Sequence, residues 1–343
     1  PGYHTTGRSA AMFLETYGPV TVQRLTKASR NFFERPPGGF SEQPLLSLRA
    51  SVFLARSDQE ALLERLHTAL ATLTPSVARL KREAALDLVP VLRPDYVSAA
   101  LIEPDAREID VNALHQGYLT GLKARGGRLA TAAEVTEIAA QSEDWRVESR
   151  AGSFRARQIV NAAGAWCDEI AQLAGLAPLG LVPKRRTVVT LDPPAGVDPR
   201  PWPLVSDIAE TFYFKPESGR IFASPADETP SPPCDAQPEE LDVAVAVDRL
   251  ERATTLEVRR IVNKWAGLRS FLPDRSLAIG PDPAAPTFLW FAGQGGYGIQ
   301  TAPAAAKALA GLASSARLSD ELLRGGLMVE ALSPRRFSAR RSA

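Results

Sequence analysis

Apolar positions along this chain follow two rhythms, and the rhythms alternate. Helical spacing appears first: residues 20–33 carry an amphipathic phase that stops at Pro36-Pro-Gly-Gly39, a cluster that breaks regular structure. Leu62, Leu63, Leu66, Leu70 and Leu73 repeat at the same spacing and predict a helix over 58–80. Thr5, Thr6 and Gly7 give a polar entry to a helix predicted over 8–17, and Asp110 caps one over 109–125 that Gly126-Gly127 ends. Residues 238–261 and the Ala-rich 301–313 complete the helical set.

Strand-like segments fill the intervals. Residues 45–55 and 128–138 turn β-like, and 145–149 alternates, turns at Gly152 and continues as a hairpin partner over 154–160. Between Pro and Gly breaks, 187–191, 202–205, 212–215 and 221–224 make the middle of the chain β-rich, followed by a polar loop over 225–238. Later strands are expected at 277–279 and 288–291, and residues 333–343 read as a solvated basic end. No internal repeat appears.

Two strand ends run into small residues. Ile159-Val-Asn-Ala-Ala-Gly-Ala-Trp-Cys167 leads from a strand to a helix over 167–174, a nucleotide-fold layout in which a flat group has room to pack. Gly293-Gln-Gly-Gly-Tyr-Gly298 lies between a strand and a helix, where free backbone N–H groups face a ligand. Close helix packing and a flexible turn are the competing readings of these two segments.

Composition narrows the class. The chain has 343 residues, 45% hydrophobic and 23% charged, which fits one large or two intertwined globular domains. Forty basic and 39 acidic side chains nearly cancel, with no basic run interleaved with aromatics, so no nucleic-acid partner is expected. Cys167 and Cys234 form no CxxC, which points to neither a zinc site nor a disulfide framework and suits a reducing compartment. With no apolar run of about 20 residues and no leader layout, the cytoplasm is the expected location.

Candidate chemistry is sparse. His4, His67 and His115 are scattered and no HExxH or GxSxG occurs, which leaves zinc and serine hydrolases without support; His67 and His115 read as ordinary helix residues. Arg186 in Lys184-Arg-Arg-Thr-Val-Val189 and Arg269 in Trp265-Ala-Gly-Leu-Arg-Ser-Phe271 stand beside β-like sequence. A guanidinium offers a planar fork matched to a carboxylate. Solvation at the surface is the competing reading for each. Tyr213 in Thr211-Phe-Tyr-Phe-Lys215 faces away from Phe212 and Phe214 by alternation, which leaves core and pocket equally open.

Together these segments resemble the FAD-dependent D-amino-acid oxidase family, and within it the bacterial D-arginine dehydrogenases most closely. The likeness is carried by residues 3–11, 30–46, Asp110-Val-Asn-Ala-Leu-His-Gln-Gly-Tyr118, 160–167, 183–186, 265–271 and 293–300. The resemblance implies a mixed α/β (α+β) fold with a Rossmann-like FAD-binding domain over 1–45, 108–182 and 265–343. A β-rich substrate-binding domain then takes 46–107 and 183–264. It also implies that Arg269 clamps the substrate carboxylate with help from Tyr213, that Arg186 and Tyr17 line the pocket, and that the Gly296 carbonyl receives the amine. FAD contacts are implied for Thr6, Arg8, Ser9, Ala10, Ala11, Val135, Ala163, Gly164, Gly293, Gly295, Gly296, Tyr297, Gly298 and Ile299.

The implied reaction is hydride transfer from the substrate Cα to the flavin, followed by hydrolysis of the imino acid to a 2-oxo acid and ammonia. Oxygen or a quinone-like carrier would take the electrons, and peripheral membrane contact to reach such a carrier stays open. No metal is implied. Two positions depart from the D-arginine enzymes: Met12 replaces a pocket histidine, and Ser51 replaces a glutamate that would pair with a guanidinium. A preference for neutral or apolar D-amino acids is therefore expected. A G-x-G-x-x-G strand–turn–helix of about 30 residues is also expected ahead of Pro1, so the sequence reads as a fragment without its first βαβ unit. Competing functions are an oxidase of glycine or N-methyl amino acids, a 2-hydroxy acid dehydrogenase, and an inactive homologue without flavin.

Overall fold

Nine strands make the largest sheet of the computed structural model, which describes residues 1–340. In chain order they are β1 (Ser51–Ala55), β2 (Ala78–Lys81), β3 (Ala99–Glu103), β4 (Val182–Leu191), β5 (Leu204–Asp207), β6 (Tyr213–Glu217), β7 (Arg220–Ser224), β8 (Thr229–Pro230) and β9 (Asn263–Phe271). Their spatial order is β8-β4-β7-β6-β5-β1-β3-β2, and β9 pairs with β4. All pairs are antiparallel except β1 with β5.

The two faces of this sheet do different work, as period-two alternation requires. One face supplies Val52, Leu54, Val189, Val205, Phe214, Ile221 and Ala223 to a core closed by the helix Glu240–Ala253 through Val243, Ala246 and Leu250. The other face carries Ser51, Phe53, Leu204, Ser206, Tyr213 and Arg186 toward a cavity. Register aligns them: Ser51 lies opposite Leu204, Phe53 opposite Ser206, Ser206 opposite Tyr213, and Arg186 opposite Gly267. Tyr213, left open by alternation alone, thus faces the cavity.

A smaller sheet joins Ile159–Asn161 in parallel to Phe288–Ala292, which pairs antiparallel with Ala278–Pro281. The helices Val20–Glu34 and Gly298–Ser315 pack over it, with Val22 and Leu25 meeting Ala304, Ala305 and Ala308. Alanine lets the two helices approach closely. Pro303 supplies no N–H inside the second helix, and the next N–H, at Ala304, donates across the interface to Ser29 Oγ at 3.1 Å.

Several expectations change. Residues 8–17 are not a helix: a 3-10 turn, Thr5–Arg8, is followed by the extended pair Met12–Phe13. The physical reason is alternation, because Met12 and Leu14 face the cavity while Phe13 turns the other way to meet Phe33 edge to face at 5.4 Å. The helix expected over 58–80 ends at Ala71, and its last residues form β2. Strand structure expected from residue 128 begins at Val135. The expected solvated tail is docked: Arg336 donates to Asp274 at 2.7 Å and to the Leu277 carbonyl at 3.0 Å, and Phe337 is buried. Residues 341–343 of that tail lie outside the described residues. The domain boundary drawn at 265 falls inside β9, which pairs with β4 over nearly its whole length.

Candidate active site

A cavity of about 470 Å³ lies between the polar face of the large sheet, the 291–302 segment and the N-terminal segment 5–17. Arg269 enters it from β9. Its guanidinium passes so close to Gly296 that a Cβ there would sit 2.9 Å from Nη1 and 3.4 Å from the Tyr17 hydroxyl, so any side chain at 296 would push the guanidinium aside. The Tyr17 hydroxyl stands beside this same approach. Burial disfavours the Arg269 charge, but Tyr213, Tyr17 and Glu228 outweigh it and raise the guanidinium above its ordinary value. Among the described residues Arg269 forms no ion pair.

Tyr213 stands between two arginines. Burial raises its phenol, yet the positive charges of Arg269 and Arg186 bring it below its ordinary value. The Arg186 guanidinium lies 5.9 Å from the Tyr213 ring centre, donates from Nε to the Asp227 carbonyl at 2.8 Å and stands 3.6 Å from Glu228. Glu228 also binds Arg275 and Lys184, at 2.7 and 2.9 Å. Those hydrogen bonds overcome burial and hold its carboxyl at about 2. Arg186 is therefore partly neutralised by protein, and Arg269, half-buried and without an ion pair among the described residues, is a cation available to an outside carboxylate.

The opposite end of the cavity is built from small residues. Ala10, Ala11, Ala162, Gly164 and Ala165 line it, and Gly164, at φ +61°, has open space where a Cβ would stand. The helix Gly298–Ser315 starts at its wall, presenting backbone N–H groups and the positive end of its dipole. This cradle fits a flat dinucleotide cofactor, with Thr6, Ser9, Ala10, Ala11, Gly164, Gly298 and Ile299 around it. Arg8 also lines the cavity, but its guanidinium is committed to Asp235 at 2.6 Å and to the Ala236 and Ala266 carbonyls.

Of the residues expected from sequence, Tyr17, Arg186, Tyr213, Arg269 and Gly296 converge on the cavity, as do Thr6, Arg8, Ser9, Ala10, Ala11, Gly164, Gly295, Gly298 and Ile299. Four lie behind its wall. Val135 packs toward the core around Ile138 and Trp145, and the Ala163 N–H donates to the Asn161 side chain. Gly293 rests on Leu272, and the Tyr297 ring packs 5.1 Å from Tyr17 and 6.2 Å from Phe271. His115, expected to be an ordinary helix residue, lines the cavity with Val111, Leu114 and Tyr118. The spacing i, i+3, i+4, i+7 of these four was the signal, since one helix face carries them all. Glu210 at the cavity rim was also missed; it holds φ +55° in the turn between β5 and β6, a conformation no local motif announced.

A sheet-roofed cavity that joins a small-residue cradle to an arginine–tyrosine pair suits a flavin-dependent oxidoreductase. The chain belongs to the DAO family of FAD-dependent oxidoreductases, whose model it matches over residues 1–312. It is 27% identical over 239 residues to mitochondrial dimethylglycine dehydrogenase of Mus musculus, covering 64% of this chain and 27% of that relative. The chain therefore spans about a quarter of that relative's length. Among solved structures it superposes on L-proline dehydrogenase from P. horikoshii with a TM-score of 0.80 at 21% identity, over 98% of this chain and 88% of the other. Glycine oxidase from Geobacillus kaustophilus gives 0.79 at 20% identity, over 93% and 86%. These two likenesses show the fold. FAD is the family's cofactor, and the small-residue cradle fits it.

Proposed function

We propose that this chain carries the substrate site of an FAD-dependent D-amino-acid dehydrogenase or oxidase, related to the D-arginine enzymes but selecting neutral side chains. The observation that carries the reading is Arg269: half-buried in the cavity wall, without an ion pair among the described residues, and flanked by Tyr17 and Tyr213. Such a group is stabilised by a bound carboxylate, which it grips through two parallel N–H bonds. FAD supplies the two-electron acceptor when bound. In this reading the clamp fixes the carboxylate, the Gly296 carbonyl receives the substrate amine, as the family resemblance implies, and the remaining substituent runs along the cavity.

The competing reading, an oxidase of glycine or N-methyl amino acids, is favoured by the named relatives. Against it, the cavity is also lined by Met12, Leu14, Phe53 and Leu204, of which Met12, Leu14 and Leu204 pack with Tyr17 and Tyr213, an apolar wall that suits a substituent glycine does not have. No acid stands at position 51 to meet a cationic side chain, and the Ser51 hydroxyl is neutral. The division into a FAD-binding part (1–45, 108–182, 265–343) and a substrate part (46–107, 183–264) belongs to the same proposal. Assaying the full-length gene product with D- and L-amino acids, glycine, sarcosine and dimethylglycine tests it, with ammonia and 2-oxo acid as products. D-Met and D-Leu should be the better substrates, and kcat/KM for D-Arg should not exceed theirs. A tenfold preference for D-Arg would refute the side-chain reading, and turnover confined to N-methyl glycines would replace the whole proposal. Reoxidation by oxygen or only by a quinone in that assay separates oxidase from dehydrogenase.

A further inference from the structure

Glu103 is a buried carboxyl that the chemistry above leaves without a task. It ends β3, is 2% exposed, and accepts the Thr16 hydroxyl at 2.6 Å. Glu15 and Thr16 face it from the segment before the helix Val20–Glu34, Asp105 from the turn after β3, and Arg30 from that helix. Arg30 is already shared between Glu15 at 2.8 Å and Glu34 at 3.0 Å. Across the sheet its register partner is Ser51, whose hydroxyl has no hydrogen-bond partner among the described residues. Among those residues Glu103 forms no ion pair.

Thr16 immediately precedes Tyr17. Their segment is held from the helical side by Gln300, which accepts the Leu14 N–H at 3.2 Å, and by Gln23, which donates to the Thr16 and Gly18 carbonyls at 3.1 and 2.9 Å. The Thr16–Glu103 bond ties the same segment to the large sheet, on the side where the Tyr17 hydroxyl must meet Arg269.

We propose that Glu103 is a positioning residue for the substrate clamp: through Thr16 it holds the segment that delivers Tyr17 to Arg269 and Gly296, and it holds it more firmly as a carboxylate than as a carboxylic acid. This rests on Tyr17 and Arg269 receiving the substrate. A hydrogen bond to an ionised acceptor is roughly twice as strong as one to a neutral acceptor. Burial pushes the Glu103 carboxyl up to about 7, with Glu15 and Asp105 adding to it against Thr16 and Arg30, so both forms are populated near neutrality. Glutamine at 103 keeps the shape and a neutral acceptor, and so imitates the acid form at every pH.

The test uses the flavin-loaded full-length protein, Glu103→Gln and Thr16→Val. KM and kcat for D-methionine are measured from below to above neutrality, alongside hydrogen exchange of the amides in residues 14–18 without substrate. The expected result is a wild-type KM that falls about fivefold as pH rises through 7, the size expected for one strengthened hydrogen bond, with a smaller change in kcat. Corrected for intrinsic exchange and taken relative to core amides, whose protection follows the global loss of stability, protection of 14–18 should rise over the same interval. Both steps should vanish in Glu103→Gln, while any titration of the histidines survives there. Retention of the steps in Glu103→Gln, or a flat exchange profile in the wild type, would overturn the proposal. If D-methionine is not turned over, the substrate reading fails by itself, and the exchange profile still decides whether Glu103 holds the segment. Should Glu103→Gln fold poorly, Thr16→Val removes the same bond from its other end.

Discussion

Arg269 and Gly296 fit each other as a pair: the guanidinium occupies the space a side chain at 296 would need. Gly296→Ala would set a Cβ 2.9 Å from the present position of Nη1 and push the guanidinium aside, so kcat/KM for a D-amino acid should fall about tenfold or more while the melting temperature barely moves. Equal loss in binding and stability would mean that the loop itself has collapsed. Glu103 makes a separate, thermodynamic prediction. Its carboxyl keeps its proton up to about 7 in the folded protein against an ordinary value of 4.5, so the unfolded chain releases its proton first. Stability then falls as pH rises from 4.5 through 7, by about 3 kcal/mol in all. Urea unfolding of Glu103→Gln should lack that part of the decline, and an unchanged pH dependence would contradict the assignment. At this scale the residues alone left Arg186, Arg269 and Tyr213 open between surface, core and pocket, and it was the family resemblance that singled them out among several strand arginines. It did not distinguish Ala162 from Ala163 at the cavity wall or place Tyr297 behind it, since a half-turn of backbone decides such cases.

Among elements, the helices at 20–34 and 298–315 were legible because their periodicity is strong, and the cap Asp110 fixed a third, its side chain accepting the Ala113 N–H at 2.8 Å. The segment 8–17 was misread because three consecutive apolar residues, Met12, Phe13 and Leu14, satisfy either rhythm locally, and only their contacts with two different environments settle it. Strand β9 was legible only as β-like sequence around Arg269, and its nine-residue length comes from pairing with β4, information held 80 residues away. The close approach of helices 20–34 and 298–315 rests on alanines, which gives an element-scale test. Ala308→Leu places extra methyl groups in a contact where Ala308 is fully buried, and should destabilise the protein by about 1–3 kcal/mol in urea unfolding. Loss below about 0.5 kcal/mol would show that the interface gives way more easily than this packing implies.

Across the whole molecule, one large sheet separates two tasks. Its apolar face is sealed by the helix Glu240–Ala253, and its other face sets Ser51, Tyr213, Arg186 and Arg269 along the roof of a single cavity, whose far end is the small-residue cradle. Alternation made this division foreseeable strand by strand; the order of nine strands was not, because register between distant segments leaves no local trace. The family and cofactor rest on the match over residues 1–312, and the proposal adds that substrate choice depends on the clamp. The most direct test of that claim is anaerobic mixing of the flavin-loaded full-length protein, and of its Arg269→Met variant, with D-methionine and L-methionine. The account predicts that D-methionine alone bleaches the flavin, and that Arg269→Met loses a hundredfold or more of the second-order rate of bleaching, about 3 kcal/mol, because the carboxylate loses its charged partner. Equal reduction by both enantiomers, or a variant that reduces as fast as the wild type, would contradict it.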